Sequence, residues 1–189
     1  MMAALRSART IALGGASARE DLFPGLVRVS ERLGSSASLA RPRSMKITGP
    51  WALERIHAHF ETTVVPLRLA CVSASGHPQV LSLWYLSRDG ALWCATSPRA
   101  RVVAMLAREL RCGFEVARDA PPYSGVRGRA IATLDRARGT EVLTALIDRY
   151  QGSRETPLAR WLLGRSASEM AIRIEPASLA SWDFAERMR

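Results

Sequence analysis

The chain has 189 residues, 48% of them apolar and 23% charged, which suffices for one well-buried core and not for two large ones. No apolar run approaches the roughly 18 residues a membrane-spanning helix needs, so no membrane partner is expected. The net charge is +10, but only Lys46 among the 27 basic residues is Lys, and no patch gathers the charge, so no nucleic-acid partner is expected either.

Residues 1–44 hold seven Arg against three acids and are rich in Ser, Ala and Gly. They show no sustained apolar period, and residues 11–18 are too short and broken a run for a secretory signal core. The expectation is a disordered or mis-started N-terminal tail over 1–44 and one folded domain over 45–189.

From Pro50 the pattern changes. Pro50 suits a first helical position, and Leu53, Ile56 and Phe60 follow at helical spacing, so a short helix is expected to end near Thr62. Residues 66–72 (PLRLACV) read as a strand and Ser75-Gly76-His77-Pro78 as a turn. Residues 80–86 (VLSLWYL) read as a second strand, apolar on both faces and therefore covered on both. Arg88-Asp89-Gly90 is a tight turn into a third strand, 92–96 (LWCAT).

A helix is expected to open with Ser97 as its N-cap and Pro98 as its first residue, with Val102, Val103, Leu106 and Leu110 on its apolar face. Residues 112–117 (CGFEVA) and 126–134 (VRGRAIATL) are the next strands. The helix over about 140–150 is the clearest in the chain. Thr156-Pro157 caps a fourth helix, expected to bury Leu158, Trp161 and Leu162 and to stop at Gly164. Residues 170–175 (MAIRIE) form the last strand. Six or so strands with few intervening helical turns predict a mainly β, α+β fold: a split antiparallel barrel.

Cys71, Cys94 and Cys112 are odd in number and widely spaced, which fits buried thiols in a reducing cytoplasm and neither a disulfide framework nor a metal motif. His57 and His59 lie about 200° apart around a helix and cannot readily share a metal ion. No catalytic residue is identifiable, since no Gly-flanked Ser, His/Cys motif or Gly-rich dinucleotide loop is present. Difficult chemistry, if any, would come from a cofactor.

The strongest chemical signal lies at Thr96, Ser97, Arg99 and Arg101. A helix N-terminus carries unsatisfied N–H groups and partial positive charge, so acids are preferred there. Here the segment brings two Arg and no acid, which a bound anion would turn from a cost into a gain. Arg127 alternates with Arg129 on one strand face, either as a second cationic group or as solvated positions. Tyr123 follows two prolines and either stacks on an aromatic ligand or caps the barrel end. Trp84 either flanks a flat ring or belongs to the core.

The pieces PLRLACVSASGHPQV, LSLWYLSRDGALWCATSPRARVV and PPYSGVRGRA, taken in order, resemble the flavin-binding split barrels related to pyridoxamine 5'-phosphate oxidase. The likeness covers about two-thirds of the chain. It implies FMN, or in some branches the deazaflavin coenzyme, held between the subunits of a homodimer. Carried over, Thr96, Ser97, Arg99 and Arg101 would contact the phosphate, and Ser82 and Trp84 would line the ring. Val102 and Ala104-Met105 stand where many members have Lys and Asn. The resemblance implies a flavin-dependent oxidoreductase acting on a small molecule, or a protein of the same fold that binds a flavin, deazaflavin or other flat anion without turnover.

Overall fold

The computed structural model describes residues 45–189; the expectation for 1–44 lies outside the described residues. In chain order the elements are β1 (Lys46–Thr48), α1 (Leu53–Thr62), β2 (Leu67–Val72), β3 (Pro78–Leu83), β4 (Leu86–Arg88), β5 (Ala91–Thr96) and α2 (Arg101–Arg108). They continue with β6 (Arg111–Ala117), β7 (Ser124–Asp135), α3 (Gly139–Gln151), α4 (Pro157–Leu163) and β8 (Met170–Asp183).

The strands form one sheet in the order β3-β2-β6-β7-β8-β5-β4, with β1 added in parallel to β8 and all other pairs antiparallel. The two edge strands, β3 and β4, are consecutive in the chain and separated only by Trp84 and Tyr85. Three Cα steps span at most about 11 Å. The edges must therefore lie side by side although they do not pair, so the sheet curls into a barrel split along one seam. The mainly β, α+β split barrel expected from the sequence is the observed architecture.

The second expected strand, 80–86, is in fact two. Tyr85 breaks it because its side chain turns into the core and is wholly buried, with its hydroxyl at the carbonyls of Phe60 (3.0 Å) and Thr63 (2.9 Å). Nor is β3 covered on both faces: it is an edge strand, and Val80 is 70% exposed. The strand covered on both sides is β5. Its Leu92 and Cys94 face the barrel core, while Ala91 and Trp93 lie under Val142 and Leu146 of α3. The hairpin from β4 to β5 turns through Asp89 (φ 52°) and Gly90 (φ 70°), the two positive values a two-residue I′ turn requires.

Ile56 and Phe60 of α1 and Val102, Val103 and Leu106 of α2 join Leu67, Leu69, Ile172 and Ile174 of the sheet in the main core. Helix α1 begins three residues after Pro50, with Ala52 as its N-cap. Helix α2 begins at Arg101, not at Pro98: Ser97–Ala100 form a turn closed by the Ala100 N–H donating to the Ser97 carbonyl at 2.9 Å. Pro98 suits the second position of such a turn, which accounts for the shift. The last strand, β8, runs fourteen residues, with a register shift where it passes Arg129 and Ala130 of β7. Strand β1 has no counterpart in the sequence reading, because three exposed residues carry no periodic signal.

Thr156 caps α4 as expected, its hydroxyl accepting from the Ala159 N–H at 3.1 Å. The helix nevertheless buries only Ala159 fully; Leu158 is 43% and Trp161 60% exposed. At seven residues, α4 shows the core only one narrow face, and Leu158 and Trp161, three apart, fall together outside it.

Candidate functional site

Two concave regions lie on either side of β3, one lined by Val80 and the other by Ser82. The first is the outer face of the sheet. Register places Ser82, Arg68, Glu115, Arg127, Ala180 and Thr48 in one row across six strands. A parallel row runs Val80, Ala70, Gly113, Arg129, Ser178 and Lys46. All of these except Ser82 bound a hollow of about 620 Å³ with small residues on its floor.

This hollow is cationic. Arg68 pairs with Glu115 (3.5 Å) and Asp119 (2.5 Å). Arg129 donates through Nε to Ser178 Oγ at 3.2 Å, and Arg127 stands 5.7 Å from the centre of the Trp182 ring. Lys46, Arg127 and Arg129 have no carboxylate partner among the described residues.

The second region is a groove of about 350 Å³ between β3, the end of β5, α3 and α4. Ser82, Thr96 and Ser97 supply hydroxyls to its lining, and Trp84, Leu158 and Trp161 supply apolar surface. The Trp84 ring stacks on Tyr150 with centres 4.9 Å apart and planes 6° from parallel. Tyr150 is fixed in turn, its hydroxyl donating to the Val65 carbonyl at 2.9 Å and accepting from the Tyr85 N–H at 3.2 Å.

At the far end lies Glu169, only 3% exposed. Arg165 reaches it through Nε at 3.0 Å and through a terminal nitrogen at 2.9 Å. The same guanidinium stands 4.7 Å from the centre of the Trp161 ring. The start of α3 presses on this segment, since a Cβ on Gly139 would come within 1.9 Å of the Glu169 carbonyl oxygen.

Four of the residues singled out in the sequence, Ser82, Trp84, Thr96 and Ser97, thus line one groove. Arg99 and Arg101 follow in the turn and at the start of α2; both are exposed and have no carboxylate partner among the described residues. The first turn of α2 holds no acid. Arg127 lies on the sheet face, outside the groove. Tyr123 precedes β7 and is 42% exposed; its carbonyl accepts from the Phe184 N–H at 3.0 Å. Sequence reasoning missed Trp161, Arg165 and Glu169. The one available signal was the pairing of Leu158 and Trp161 on a helix too short to bury both.

The remaining reactive side chains are accounted for structurally. Cys71, Cys94 and Cys112 are free and buried, and burial pushes their thiols up, Cys112 to about 12. His59 donates through Nε2 to the Val116 carbonyl and accepts at Nδ1 from the Thr63 hydroxyl, each at 3.1 Å. Among the described residues no group of three or more His, Cys, Asp or Glu could hold a metal ion, and no helix is long and apolar enough to cross a membrane.

No family model matches the sequence, and no curated protein matches it. Solved structures do. A conserved hypothetical protein from Mycobacterium tuberculosis superposes with a TM-score of 0.63 at 19% identity, over 79% of this chain and 94% of that one. An F420 reductase superposes at 0.56 with 20% identity, over 69% and 97%. An FAD-binding protein from Mesorhizobium loti superposes at 0.53 with 16% identity, over 69% and 93%. These likenesses show the fold, a split β-barrel with peripheral helices.

Proposed function

We propose that this protein binds FMN and works as a flavin-dependent oxidoreductase on a small molecule. The observation that carries the reading is the run from Thr96 to Arg101: Thr96 and Ser97 bring hydroxyls to a groove bounded by Ser82 and Trp84, and Arg99 and Arg101 follow as exposed cations with no carboxylate partner among the described residues. That donor set fits a phosphate dianion. It would hold the phosphate while Ser82 and Trp84 line the ring. A bound flavin supplies hydride transfer, which no side chain in the groove can perform.

Arg127 and Tyr123 do not reach this groove within one chain, and the sheet face beside it is open and small-floored. Both facts support a two-fold homodimer in which one protomer's sheet face borders the other's groove. The solved structures of the same fold include an F420 reductase and an FAD-binding protein, which supports a flavin or deazaflavin ligand for this chain. We also propose residues 45–189 as the functional domain, and the reducing cytoplasm, where three buried thiols persist, as its compartment.

One observation favours a second reading, ligand binding without turnover. Among the described residues, the only ionisable side chains lining the groove are Arg165 and Glu169, which pair with each other. Titration of the purified protein with FMN, followed by NAD(P)H, separates the readings. Bleaching of bound flavin by the nicotinamide supports the oxidoreductase, and a flavin that stays yellow supports the binding protein. Failure to bind either FMN or the deazaflavin coenzyme would overturn both.

A further inference from the structure

We infer that the cavity between α1, the β6–β7 loop and the end of β8 is a second binding site, which takes a small organic monocarboxylate with its charged end on Arg118. The inference does not rest on the flavin reading. Thr96, in the proposed cofactor groove, pairs with Met170 at the start of the fourteen-residue β8, whereas Ser124, in this cavity, pairs with Asp183 at its end. No residue lines both regions.

The charges of the lining leave one cation over. Arg55, Arg118 and Asp183 carry them. Asp183 is committed: its carboxylate accepts from Trp51 Nε1 at 3.2 Å, from Arg55 at 2.7 Å and from the Ala185 N–H at 3.0 Å. Arg55 is neutralised by that pair and also stands 4.5 Å from the centre of the Trp51 ring. Arg118 has no carboxylate partner among the described residues. A ligand with a single negative charge balances it, whereas a dianion would bring a second charge with no counterpart.

Neither His59 nor the end of α1 alters this balance. The His59 ring is buried and occupied on both nitrogens, by the Val116 carbonyl and the Thr63 hydroxyl, each at 3.1 Å. Burial first, and then the charges of Arg118 and Arg55, hold its pKa below 6.5 against the Val116 hydrogen bond, so it is neutral at pH 7. The last carbonyls of α1 would repel an anion, but Arg149 covers those of Phe60, Glu61 and Thr63.

The remaining lining chooses among anions. A guanidinium fork matches a carboxylate with two parallel N–H···O bonds. Ser124 is 7% exposed, and its hydroxyl, which has no hydrogen-bond partner among the described residues, is a further donor in the same lining. Trp51, Ala58, Pro122 and Ala185 supply apolar surface that a bare inorganic anion would leave uncovered and a small hydrocarbon body would cover. The cavity holds about 350 Å³, toward the lower end of the roughly 300–1,000 Å³ range of small-molecule sites.

The test uses the full chain and calorimetric titration with benzoate, its neutral isostere benzamide, and inorganic phosphate. The wild type should bind benzoate about tenfold or more tighter than either of the others. Arg118→Gln should lose about tenfold or more for benzoate, and Arg118→Lys should recover only part of that loss, because an ammonium lacks the fork. Arg118 is exposed, so Arg118→Gln without ligand should melt with the wild type, and benzoate should raise the melting temperature of the wild type alone. FMN affinity should be unchanged in Arg118→Gln, and benzoate affinity unchanged in Arg101→Ala. Equal binding of benzoate and benzamide, or Arg118→Gln binding benzoate like the wild type, overturns the inference. Phosphate binding more tightly than benzoate overturns the carboxylate assignment, and loss of benzoate binding in Arg101→Ala moves the ligand to the other end of β8. If FMN fails to bind while benzoate binds through Arg118, the cofactor reading falls and this site stands.

Discussion

Tyr85 and Arg149 converge on the same two carbonyl groups. The Tyr85 hydroxyl lies 3.0 Å from the Phe60 oxygen and 2.9 Å from the Thr63 oxygen, and one Arg149 nitrogen lies 3.0 Å from each. A second Arg149 nitrogen donates to the Glu61 carbonyl at 2.7 Å. These are the C-terminal carbonyls of α1, which have no partner inside the helix. A cation there also complements the negative end of the helix dipole. The pair ties α1 and α3 to the residue that splits the barrel's seam.

Removing either member should destabilise the fold unequally. Tyr85→Phe leaves Arg149 at both carbonyls and should cost about 1–2 kcal/mol. Arg149→Met removes the charged donor to three carbonyls and should cost about 2–4 kcal/mol. Urea denaturation of both single variants and the double variant measures this. Strict additivity would mean that the two side chains do not share their acceptors.

Arg101 opens α2 against the helix dipole with no acid in the first turn. Arg101→Ala should weaken FMN binding by roughly one to two decades, about 1.5–3 kcal/mol. It should leave the empty protein as stable as before or slightly more so. Arg118→Ala is the control, because Arg118 lines a separate cavity with Arg55, His59 and Asp183. Flavin titrations of the three proteins decide the point: equal affinity for wild type and Arg101→Ala places the phosphate elsewhere.

The sheet face gives a direct test of the dimer. A Cβ built on Gly113 meets only the Ala70 Cβ and the Gly128 oxygen, both at 3.7 Å, so one protomer can accept a side chain there. Gly113→Gln should therefore fold normally and leave a monomer where the wild type is a dimer at micromolar concentration. Light scattering reads the outcome, and a dimeric Gly113→Gln with wild-type affinity would move the interface off this face.

His59 should set part of the pH response. Burial is the first cause holding its pKa below the ordinary 6.5, against the opposing hydrogen bond to Val116. The unfolded chain then takes up a proton near pH 6.5 that the folded chain refuses. The neutral ring's contribution is complete above that pH and is lost as pH falls from about 6.5 toward the lowered folded value. Melting temperature should drop between pH 7 and 5, and His59→Gln should flatten that drop. An unchanged slope in the variant would assign the response to another group.

The periodic elements were legible in the sequence. Helix α3, strands β2, β5, β6 and β7, the Asp89-Gly90 turn and the Thr156 cap follow from apolar spacing and from residues with local preferences. Those preferences act within a few bonds, so a sequence window contains their cause. The cluster at Thr96–Ser97 and Arg99–Arg101 was visible for the same reason, as residues adjacent in the chain.

Other features depended on contacts between distant segments. The break at Tyr85 is invisible in VLSLWYL, because its cause is two carbonyls more than twenty residues away at the end of α1. That Trp161 borders a groove depends on Arg165, Glu169 and the approach of Gly139, and that Ser82 shares a row with Arg127 depends on the register of four strands. The sequence by itself determined the strongly periodic helices and strands, the local turns and caps, and where charge adjoins hydroxyls. Only the tertiary structure decided which of those residues face one another. Burial and strand register are set by the closure of the whole sheet, and no local window contains that closure.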